Sequence, residues 1–349
     1  MVPEIAIAGR AIGSAHPPFV IAEMSANHNG SLDHAFAIME AAKAAGAHAV
    51  KIQTYTADTI TIDYDGPGFA IEGGLWDGNT LYELYDKAHT PWDWHPALFD
   101  KGRELDLIVF SSPFDATAVD FLEGLDAPAY KIASFELNDL PLIRKCAETG
   151  KPLIMSTGMA DLAEIGSAVG AAIEAGASEI ALLHCTSGYP TPPEDADLRT
   201  IPHLAQAFDR VTGLSDHTPG AGAPVAAVAL GAAIIEKHVT LSRADGGPDA
   251  AFSLEPDELR TVCEGVDLAW RALGGVRYDR SESEKGNAQF RRSLYVVADM
   301  QAGEPLTQAK LRSIRPGFGL PPKYFDLLLG KRVNRDVSRG TPMSWDLIG

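Results

Sequence analysis

Two short apolar segments, each followed by polar residues and a histidine, decide the fold of this 349-residue chain. Segment 213–218 reads Gly-Leu-Ser-Asp-His-Thr, and segment 234–238 reads Ile-Ile-Glu-Lys-His. The residues between them are rich in Ala, Val and Gly and have the length of one helix. This arrangement is typical of consecutive strands in a βαβ unit, in which both segments present their polar residues at the carboxyl edge of a parallel sheet.

The two histidines of these segments predict a metal site. His217 and His238 would meet at the sheet edge, beside Asp216 and Glu236. Two neutral imidazoles brought together can bind a divalent cation and leave room for a substrate. The alternative is that each histidine caps its strand and forms only local hydrogen bonds.

Eight short apolar runs recur along the chain, and most are followed by a helical pattern. They span residues 19–22, 49–52, 107–110, 129–132, 153–155, 180–183, 211–214 and 233–235. Near-continuous apolar strands that alternate with amphipathic helices indicate a parallel sheet covered on both faces. A count of eight favours a closed α/β architecture, the (β/α)8 TIM barrel.

The helices between these runs have ordinary start signals. Ser31 begins a long alanine-rich pattern, segment 157–161 leads into another, and the last pattern covers about 255–273. Every apolar run ends in polar residues, and in a barrel all of these ends meet at one face, where active sites are built. The sequence therefore predicts a polar site at the carboxyl edge of the barrel.

Composition limits the class of partner. The formal net charge is −18 and the pI is about 4.9, which argues against nucleic acid and anionic membranes as partners. The three cysteines are too few and too widely spaced for a disulfide framework or a zinc site. The amino terminus lacks the pattern of a signal peptide, and the apolar run at 225–235 is too short to span a bilayer. We expect a cytosolic (cytoplasmic) protein.

Two parts of the chain depart from the repeating pattern. Residues 55–94 form a long connection rich in Gly, Asp, Tyr and Trp, which predicts either a lid over the site or a packing excursion. Residues 281–290 are charged and turn-rich and are interpreted as a linker after a barrel domain at 1–280. Residues 291–349 have short β-like runs with Gly and Pro between them, which predicts a small β-rich domain that packs on its own barrel or swaps onto a partner's.

Lysines and serines at the strand ends predict an anion site. Lys51 and Lys131, with Ser134 and Ser156 and with Ser112 nearby, would form a cradle for phosphate. The alternative is that each lysine reaches solvent or pairs with a carboxylate.

Three carboxylates are predicted on the same face of the barrel. Glu23, Glu136 and Asp249 fall at strand ends or in loops, where they could act as general acid or base or bind sugar hydroxyls. The alternative is that they are simply solvated.

Taken together, the motifs resemble the sialic acid synthase family. The matching segments are 21–30, 51–54, 130–134, 156–159, 184–186, 213–218 and 236–238. Segment 315–319, Arg-Pro-Gly-Phe-Gly, resembles the antifreeze-like (SAF) domain at the C-terminus of that family. The resemblance extends over nearly the whole chain.

The resemblance implies a reaction and a cofactor. Members of this family condense phosphoenolpyruvate with the open-chain aldehyde of an N-acetylated sugar, giving a nine-carbon 2-keto acid and phosphate. A divalent metal would be held by His217 and His238, with Mn²⁺ as the expected ion and Mg²⁺ or Co²⁺ as alternatives. The family implies a domain-swapped homodimer in which Arg315 reaches the site of the other subunit.

The resemblance also assigns individual residues. Glu136 and Glu23 would be catalytic. Phosphoenolpyruvate would be bound by Lys51, Ser112, Lys131, Ser134, Ser156, Ser187 and Ser215. The sugar would be bound by Glu23, Gln53, Tyr189, Asp249 and Arg315. Ser187 departs from the asparagine that neuraminate synthases of the family carry there.

Loop sequences favour one branch of the family. Segments 55–61, 81–85, 90–95, 241–247 and 319–324 are similar to those of pseudaminic acid synthases, which use 2,4-diacetamido-2,4,6-trideoxy-L-altrose. The first alternative is an N-acetylneuraminate or legionaminate synthase with the same mechanism. The second, from another class, is a non-catalytic carbohydrate-binding protein, which would need neither the histidine pair nor the lysines.

Overall fold

The computed structural model describes residues 3–349, which form two compact units. The first unit extends to Gly274, and the second runs from Gly275 to Gly349.

The first unit begins with an antiparallel hairpin that the sequence analysis did not predict. Strand β1, Glu4–Ile7, pairs with β2, Arg10–Gly13. The buried side chains of Ile5, Ile7 and Ile12 join a cluster that includes residues from the inside of the barrel. Because these barrel residues lie toward the amino ends of their strands, the hairpin closes the end of the barrel opposite the polar edge.

Eight parallel strands form a closed barrel, as predicted. They are β3 Phe19–Glu23, β4 Ala49–Thr54, β5 Ile108–Pro113, β6 Tyr130–Ile132, β7 Leu153–Ser156, β8 Ile180–Cys185, β9 Val211–Asp216 and β10 Ile234–His238. Each strand pairs with its neighbours in the chain, and β10 closes on β3. Nearly all strand residues are buried because helices cover the outer face.

Several strands extend further than the apolar runs predict. Strand β9 includes Asp216, and β10 includes the last two residues Lys237 and His238. The parallel ladder continues through these polar residues, since Lys237 pairs in register with Asp216. Some predicted site residues therefore belong to the sheet itself and are held by its hydrogen bonds.

Between residues 3 and 274 the structure has ten α-helices. They are α1 Leu32–Ala45, α2 Ala57–Ile60, α3 Leu81–Ala88, α4 His95–Glu104, α5 Ala116–Glu123, α6 Leu140–Ala147, α7 Leu162–Glu174, α8 Thr200–Phe208, α9 Gly222–Ala229 and α10 Pro256–Leu273. The predicted start signals are confirmed at two of them: the Ser31 side chain accepts from the backbone N–H of His34, and Asp161 caps α7. The long connection contains α2 and α3, so it is not without structure.

The second unit has its own core. It contains α11 Glu282–Lys285, the antiparallel pair β11 Ser293–Val296 and β12 Leu311–Ile314, and α12 Phe325–Leu328. A separate cluster around Leu294, Leu311 and Val333 holds these elements together. The interpreted linker at 281–290 holds α11 and a 3-10 turn. Between residues 3 and 349, the chain has no helix that combines the length and the apolar character needed to cross a membrane.

The hairpin under the barrel gives a stability prediction. Ile7→Ala is expected to lower the free energy of unfolding by about 2–5 kcal/mol, because the fully buried side chain would leave a cavity. Denaturant unfolding of the whole chain measures this. The control is Ile173→Ala on α7, where the side chain is 44% exposed and the loss should be far smaller. Equal shifts for the two variants would show that the hairpin is not part of the barrel core.

Candidate active site

A cavity of about 500 Å³ opens at the carboxyl edge of the barrel. Most of the residues predicted for the site line it. They are Lys51, Gln53, Lys131, Ser134, Glu136, Ser156, Tyr189, Ser215, His217, His238 and Asp249. The structure therefore brings residues from six strand ends and the following loops into one space.

Four predicted residues do not line the cavity. Glu23 and Ser112 lie directly behind Lys51, whose Nζ is 2.8 Å from Glu23 Oε2 and 3.3 Å from Ser112 Oγ. The Oγ of Ser187 lies 3.9 Å from the sulfur of Cys185, which does line the cavity. Arg315 is exposed and follows β12 in the second unit.

The two lysines are held by carboxylates. Oε1 of Glu236 lies 3.3 Å from Nζ of Lys131 and 3.5 Å from Nζ of Lys51, and Lys51 also pairs with Glu23. Of the two alternatives for the lysines, pairing with a carboxylate is the one observed, so the argument that they require an external anion is wrong. In formal charge the two ammonium groups and the two carboxylates cancel.

Burial changes the proton affinity of this cluster. Burial raises the pKa of Glu23 and lowers that of Lys131. Burial also acts to lower the pKa of Lys51, but the charges of Glu23 and Glu236 outweigh it and raise that pKa.

The two histidines come together as the sequence predicts. The ring centroids of His217 and His238 are 5.3 Å apart. Nδ1 of His217 lies 3.0 Å from the backbone oxygen of Thr186, which can only accept, so Nδ1 donates. Burial opposes protonation of this ring, but Cys185, the Thr186 oxygen and Asp216 outweigh it and raise the pKa of His217. Nε2 offers a lone pair in the neutral form of the ring. Burial, together with neighbouring positive charges, lowers the pKa of His238 well below its ordinary value, so this ring is neutral at pH 7.

These rings fit a metal with open coordination positions. Nδ1 of His238 is buried and has no hydrogen-bond partner among residues 3–349, since Asp249 Oδ2 is 3.9 Å away. Within the same residues, no group of three or more His, Cys, Asp or Glu side chains is arranged for metal binding. Two imidazole nitrogens would therefore be the protein ligands, and water or substrate oxygens would supply the rest.

Glu136 is poised to exchange a proton. It ends a 3-10 turn, Ser134–Glu136, directly after β6. Its Oε2 is buried and lacks a hydrogen-bond partner within the described part of the chain. Burial raises the pKa of this carboxyl to about 7, which suits a general acid or base at neutral pH.

Small polar groups crowd together beside Glu136. The backbone N–H of Gly158 donates to Ser134 Oγ over 3.2 Å. A Cβ at position 158 would collide with the hydroxyls of Ser187 and Ser134, so only glycine permits this approach. The Ser156 hydroxyl is buried and has no partner among the described residues. These groups leave hydrogen-bond donors available to an anion.

Gln53 links the two carboxylates that are predicted to bind the sugar. Its Nε2 donates to Glu23 Oε1 over 2.9 Å and to Ser25 Oγ over 3.0 Å, and Ser25 in turn donates to Asp249. Burial raises the pKa of Asp249.

Aromatic side chains close the other side of the cavity. Tyr189 lies 4.5 Å from the His217 ring and 5.0 Å from Phe252, measured between centroids. Trp76, in the long connection, contacts Tyr189 and donates from Nε1 to the Pro248 oxygen over 3.0 Å. The long connection therefore contributes side chains to the lining of the cavity, and Trp76 also packs against other residues of the site.

Sequence reasoning assigned no role to several residues of the site. Glu236, Ser25, Trp76, Cys185 and Phe252 all line the cavity. Alternation along β10 could have identified Glu236, because it lies two residues before His238 and so faces the same side. Cys185 ends β8 and belongs to the sheet. The positions of Ser25, Trp76 and Phe252 depend on loop conformations that no local pattern specifies.

The buried carboxyl of Glu136 predicts pH-dependent stability. Its folded pKa of about 7 lies above the ordinary 4.5, so the folded state binds a proton more tightly and the wild type loses stability as the pH rises between these values. Glu136→Gln removes that loss. At pH 8 the variant should be more stable than the wild type by about 2–3 kcal/mol, and below about pH 4.5 the two should converge.

Thermal melting across this pH range is the measurement. The matched control is Glu148→Gln, because Glu148 is exposed at the end of α6 and its replacement should give no pH-dependent difference. A variant no more stable than the wild type at pH 8 would contradict the desolvation of Glu136.

Comparison with known proteins agrees with this geometry. The NeuB family model matches residues 38–278, and the SAF domain model matches residues 291–349. The chain is 45% identical to a pseudaminic acid synthase of Campylobacter jejuni over 322 residues, which are 92% of this chain and 94% of that protein. It is 34% identical to an N,N′-diacetyllegionaminic acid synthase of Legionella pneumophila over 341 residues, or 96% of each chain.

A solved structure supports the same assignment. The spore coat polysaccharide biosynthesis protein SpsE of Bacillus subtilis matches with a TM-score of 0.67 and 35% identity, over 99% of both chains. The predicted barrel followed by a SAF domain is thus confirmed. With a family model that covers more than half of its residues and relatives above 30% identity along nearly all of its length, the chain belongs to the NeuB family and is an enzyme of that family.

Proposed function

We propose that the protein is a pseudaminic acid synthase. It would condense phosphoenolpyruvate with 2,4-diacetamido-2,4,6-trideoxy-L-altrose to give pseudaminic acid and phosphate. The observation that carries the proposal is the meeting of a histidine pair, two buried lysines and Glu136 around one cavity. The greater identity to the pseudaminic acid synthase than to the legionaminic acid synthase supports this branch.

Phosphoenolpyruvate would bind on the lysine side of the cavity. The available hydroxyl of Ser156 and that of Ser134 would donate to its phosphate or carboxylate, beside Lys51 and Lys131. Ser215 would also donate to it by turning its hydroxyl away from Glu236. Ser112 and Ser187 would act from behind the lining residues. Because Glu23 and Glu236 already balance the lysines, the trianion needs further positive charge in the complex. A cation at the histidines and Arg315 of a second subunit would provide it.

His217 and His238 would hold the divalent metal, which we propose is Mn²⁺, with Mg²⁺ or Co²⁺ as alternatives. When bound, such an ion acts as a Lewis acid toward the aldehyde oxygen of the sugar. The chain's own contribution is to present two imidazole nitrogens in a cavity that keeps positions open for substrate.

The remaining steps form the C–C bond, release phosphate and transfer protons. C3 of phosphoenolpyruvate would attack the aldehyde carbon, water would add at C2, and collapse of C2 to the ketone would expel phosphate by cleavage of the C–O bond. The two protons of the water would end on the new sugar hydroxyl and on the departing phosphate. Glu136, with a pKa near 7, would take a proton from the attacking water. Glu23 lies behind Lys51 and accepts a hydrogen bond from Gln53. It would therefore act on the bound sugar through Gln53.

The sugar would occupy the wall opposite the lysines. Asp249, Gln53 and Tyr189 would hold its hydroxyl and acetamido groups. The apolar wall beyond them suits a 6-deoxy methyl and two acetamido methyls better than a fully hydroxylated sugar. That wall comprises Ile60, Ile71, Leu81, Leu84, Tyr85 and Phe114.

The alternatives differ in sugar rather than mechanism. An N-acetylneuraminate or legionaminate synthase would use the same histidines, lysines and Glu136. A non-catalytic carbohydrate-binding protein does not agree with membership of a family of enzymes. We place the reaction in the cytosol, because all three cysteines are free thiols in the structure, as a reducing compartment favours.

Phosphate release from phosphoenolpyruvate with Mn²⁺ tests the function. Three sugars are compared in parallel: the 6-deoxy altrose, the corresponding legionaminate precursor and N-acetylmannosamine, with each product identified by mass. We expect turnover with the altrose at a rate at least about 100-fold above the others, since lost apolar contacts and unpaired hydroxyls each cost several-fold. Turnover with another sugar instead would overturn the assignment to the pseudaminic acid synthases. The absence of metal-dependent phosphate release with all three sugars would overturn the proposal that the protein is a synthase.

We also propose that the active form is a domain-swapped homodimer. Phe135 and Met159 belong to loops that follow β6 and β7, and they are 58% and 64% exposed. In the second unit, Arg315 and Phe318 are exposed within the segment that resembles the SAF domain motif. An exposed apolar pair near a cavity and an arginine beside an exposed phenylalanine are features expected of surfaces that meet in an oligomer.

Mixed dimers test the swap. His238→Ala and Arg315→Ala are each expected to be inactive or strongly impaired as homodimers. When both subunits are co-expressed, a swapped heterodimer has one site that retains both wild-type residues, so random assembly should recover about a quarter of wild-type activity. The control is co-expression of His238→Ala with His217→Ala. Each barrel then lacks one of its two histidines whichever subunits pair, so no intact site forms. No recovery with the first pair would contradict the swap.

A further inference from the structure

Two charged residues lie directly behind the histidines. Asp216 precedes His217, Lys237 precedes His238, and the ladder between β9 and β10 pairs Lys237 with Asp216. Side chains alternate along strands, so these two point out of the barrel while the histidine of β10 points in. Neither charged residue lines the cavity, and they are only 4% and 1% exposed.

The pair closes the turn that carries His217. Asp216 accepts from Thr218 twice, from the backbone N–H at Oδ1 and from Oγ1 at Oδ2, both over 3.0 Å. Nζ of Lys237 lies 2.8 Å from Oδ2 of Asp216 and also donates to the backbone oxygen of Thr218. Lys237 therefore bonds to both neighbours of His217, Asp216 and Thr218.

Stability alone is a weak reason for this arrangement. Removing two charges from water costs several kcal/mol for each ion, and an apolar pair of similar volume often serves a fold as well or better. The ion pair instead adds geometric specificity, because its hydrogen bonds form only when the ends of β9 and β10 have one relative position.

The histidine rings differ in how they are held. Nδ1 of His217 is held by the Thr186 oxygen, whereas Nδ1 of His238 has no hydrogen-bond partner within residues 3–349. His238 has ring contacts with His217 and Phe252, at centroid distances of 5.3 and 5.0 Å. Its position relative to His217 thus depends mainly on the strand backbone, and the Lys237 side chain links that backbone to both neighbours of His217.

We infer that the buried Asp216–Lys237 ion pair is a positioning device that holds His217 and His238 at the spacing a divalent cation requires. The inference rests on the metal site of the proposed function. The pair would act from the layer between sheet and helices, without contact with metal or substrate. Outer groups that orient metal ligands typically change metal affinity by about 10- to 100-fold when removed.

Isothermal titration of the full-length protein with Mn²⁺ tests this. Lys237→Met is expected to weaken Mn²⁺ binding by about 10- to 100-fold. Ile165→Ala is the control for general loss of stability, since this buried residue belongs to α7 on the outer side of another strand and its replacement should leave Mn²⁺ affinity unchanged. Equal affinity in the wild type and Lys237→Met would overturn the inference.

A second variant covers the case in which Lys237→Met does not fold. Asp216→Asn with Lys237→Met removes both charges, so no ion is left buried alone and the fold should survive. Its Mn²⁺ affinity should remain at least about 10-fold below the wild-type value, although its melting temperature recovers. Wild-type affinity in this double variant would overturn the inference while leaving the metal site intact. If the wild type itself does not bind Mn²⁺, the metal site and the inference both fail.

Discussion

One carboxylate oxygen holds the polar centre of the barrel together. Oε1 of Glu236 lies 3.3 Å from Lys131, 3.5 Å from Lys51, and 3.3 Å from the Ser215 hydroxyl, which donates to it. Without this oxygen, the buried ammonium group of Lys131 would have no carboxylate within 4 Å in the described part of the chain, which would carry a large desolvation penalty. Because side chains alternate along β10, the strand that supplies this carboxylate also supplies His238 to the same cavity.

This balance of charge determines how the cavity can work. A chain of net charge −18 repels anions at long range, and a lysine cluster neutralised by carboxylates does not reverse that field by itself. Anion binding must therefore rely on short-range donors such as Ser156 and on positive charge that arrives with the complex. Burial keeps the pKa of Glu136 near 7, so the cavity combines a charge-balanced lysine cluster with a carboxyl able to exchange a proton.

The sequence was most informative where structure is local. Eight apolar runs became eight barrel strands because most residues of a strand that is covered on both faces are apolar. The β1–β2 hairpin was missed, since two four-residue strands with two buried residues each carry little pattern. In the site, the histidine pair follows from two strand ends in one βαβ unit. The carboxylate partners of the lysines do not, because residues 51, 131 and 236 come from strands that are distant in sequence.

Residues on the two faces of the barrel sheet have different roles. Residues that face inward, such as Glu236 and His238, provide charge and ligands, and they leave coordination positions open because no third protein donor completes a metal site among residues 3–349. Two ligands constrain an ion less than three or four do, so their spacing must be set by the scaffold. The residues between them in β9 and β10 face the helices, and there Asp216 and Lys237 join the two strand ends. Strand alternation thus allows one pair of strands to carry the open site on one face and its support on the other.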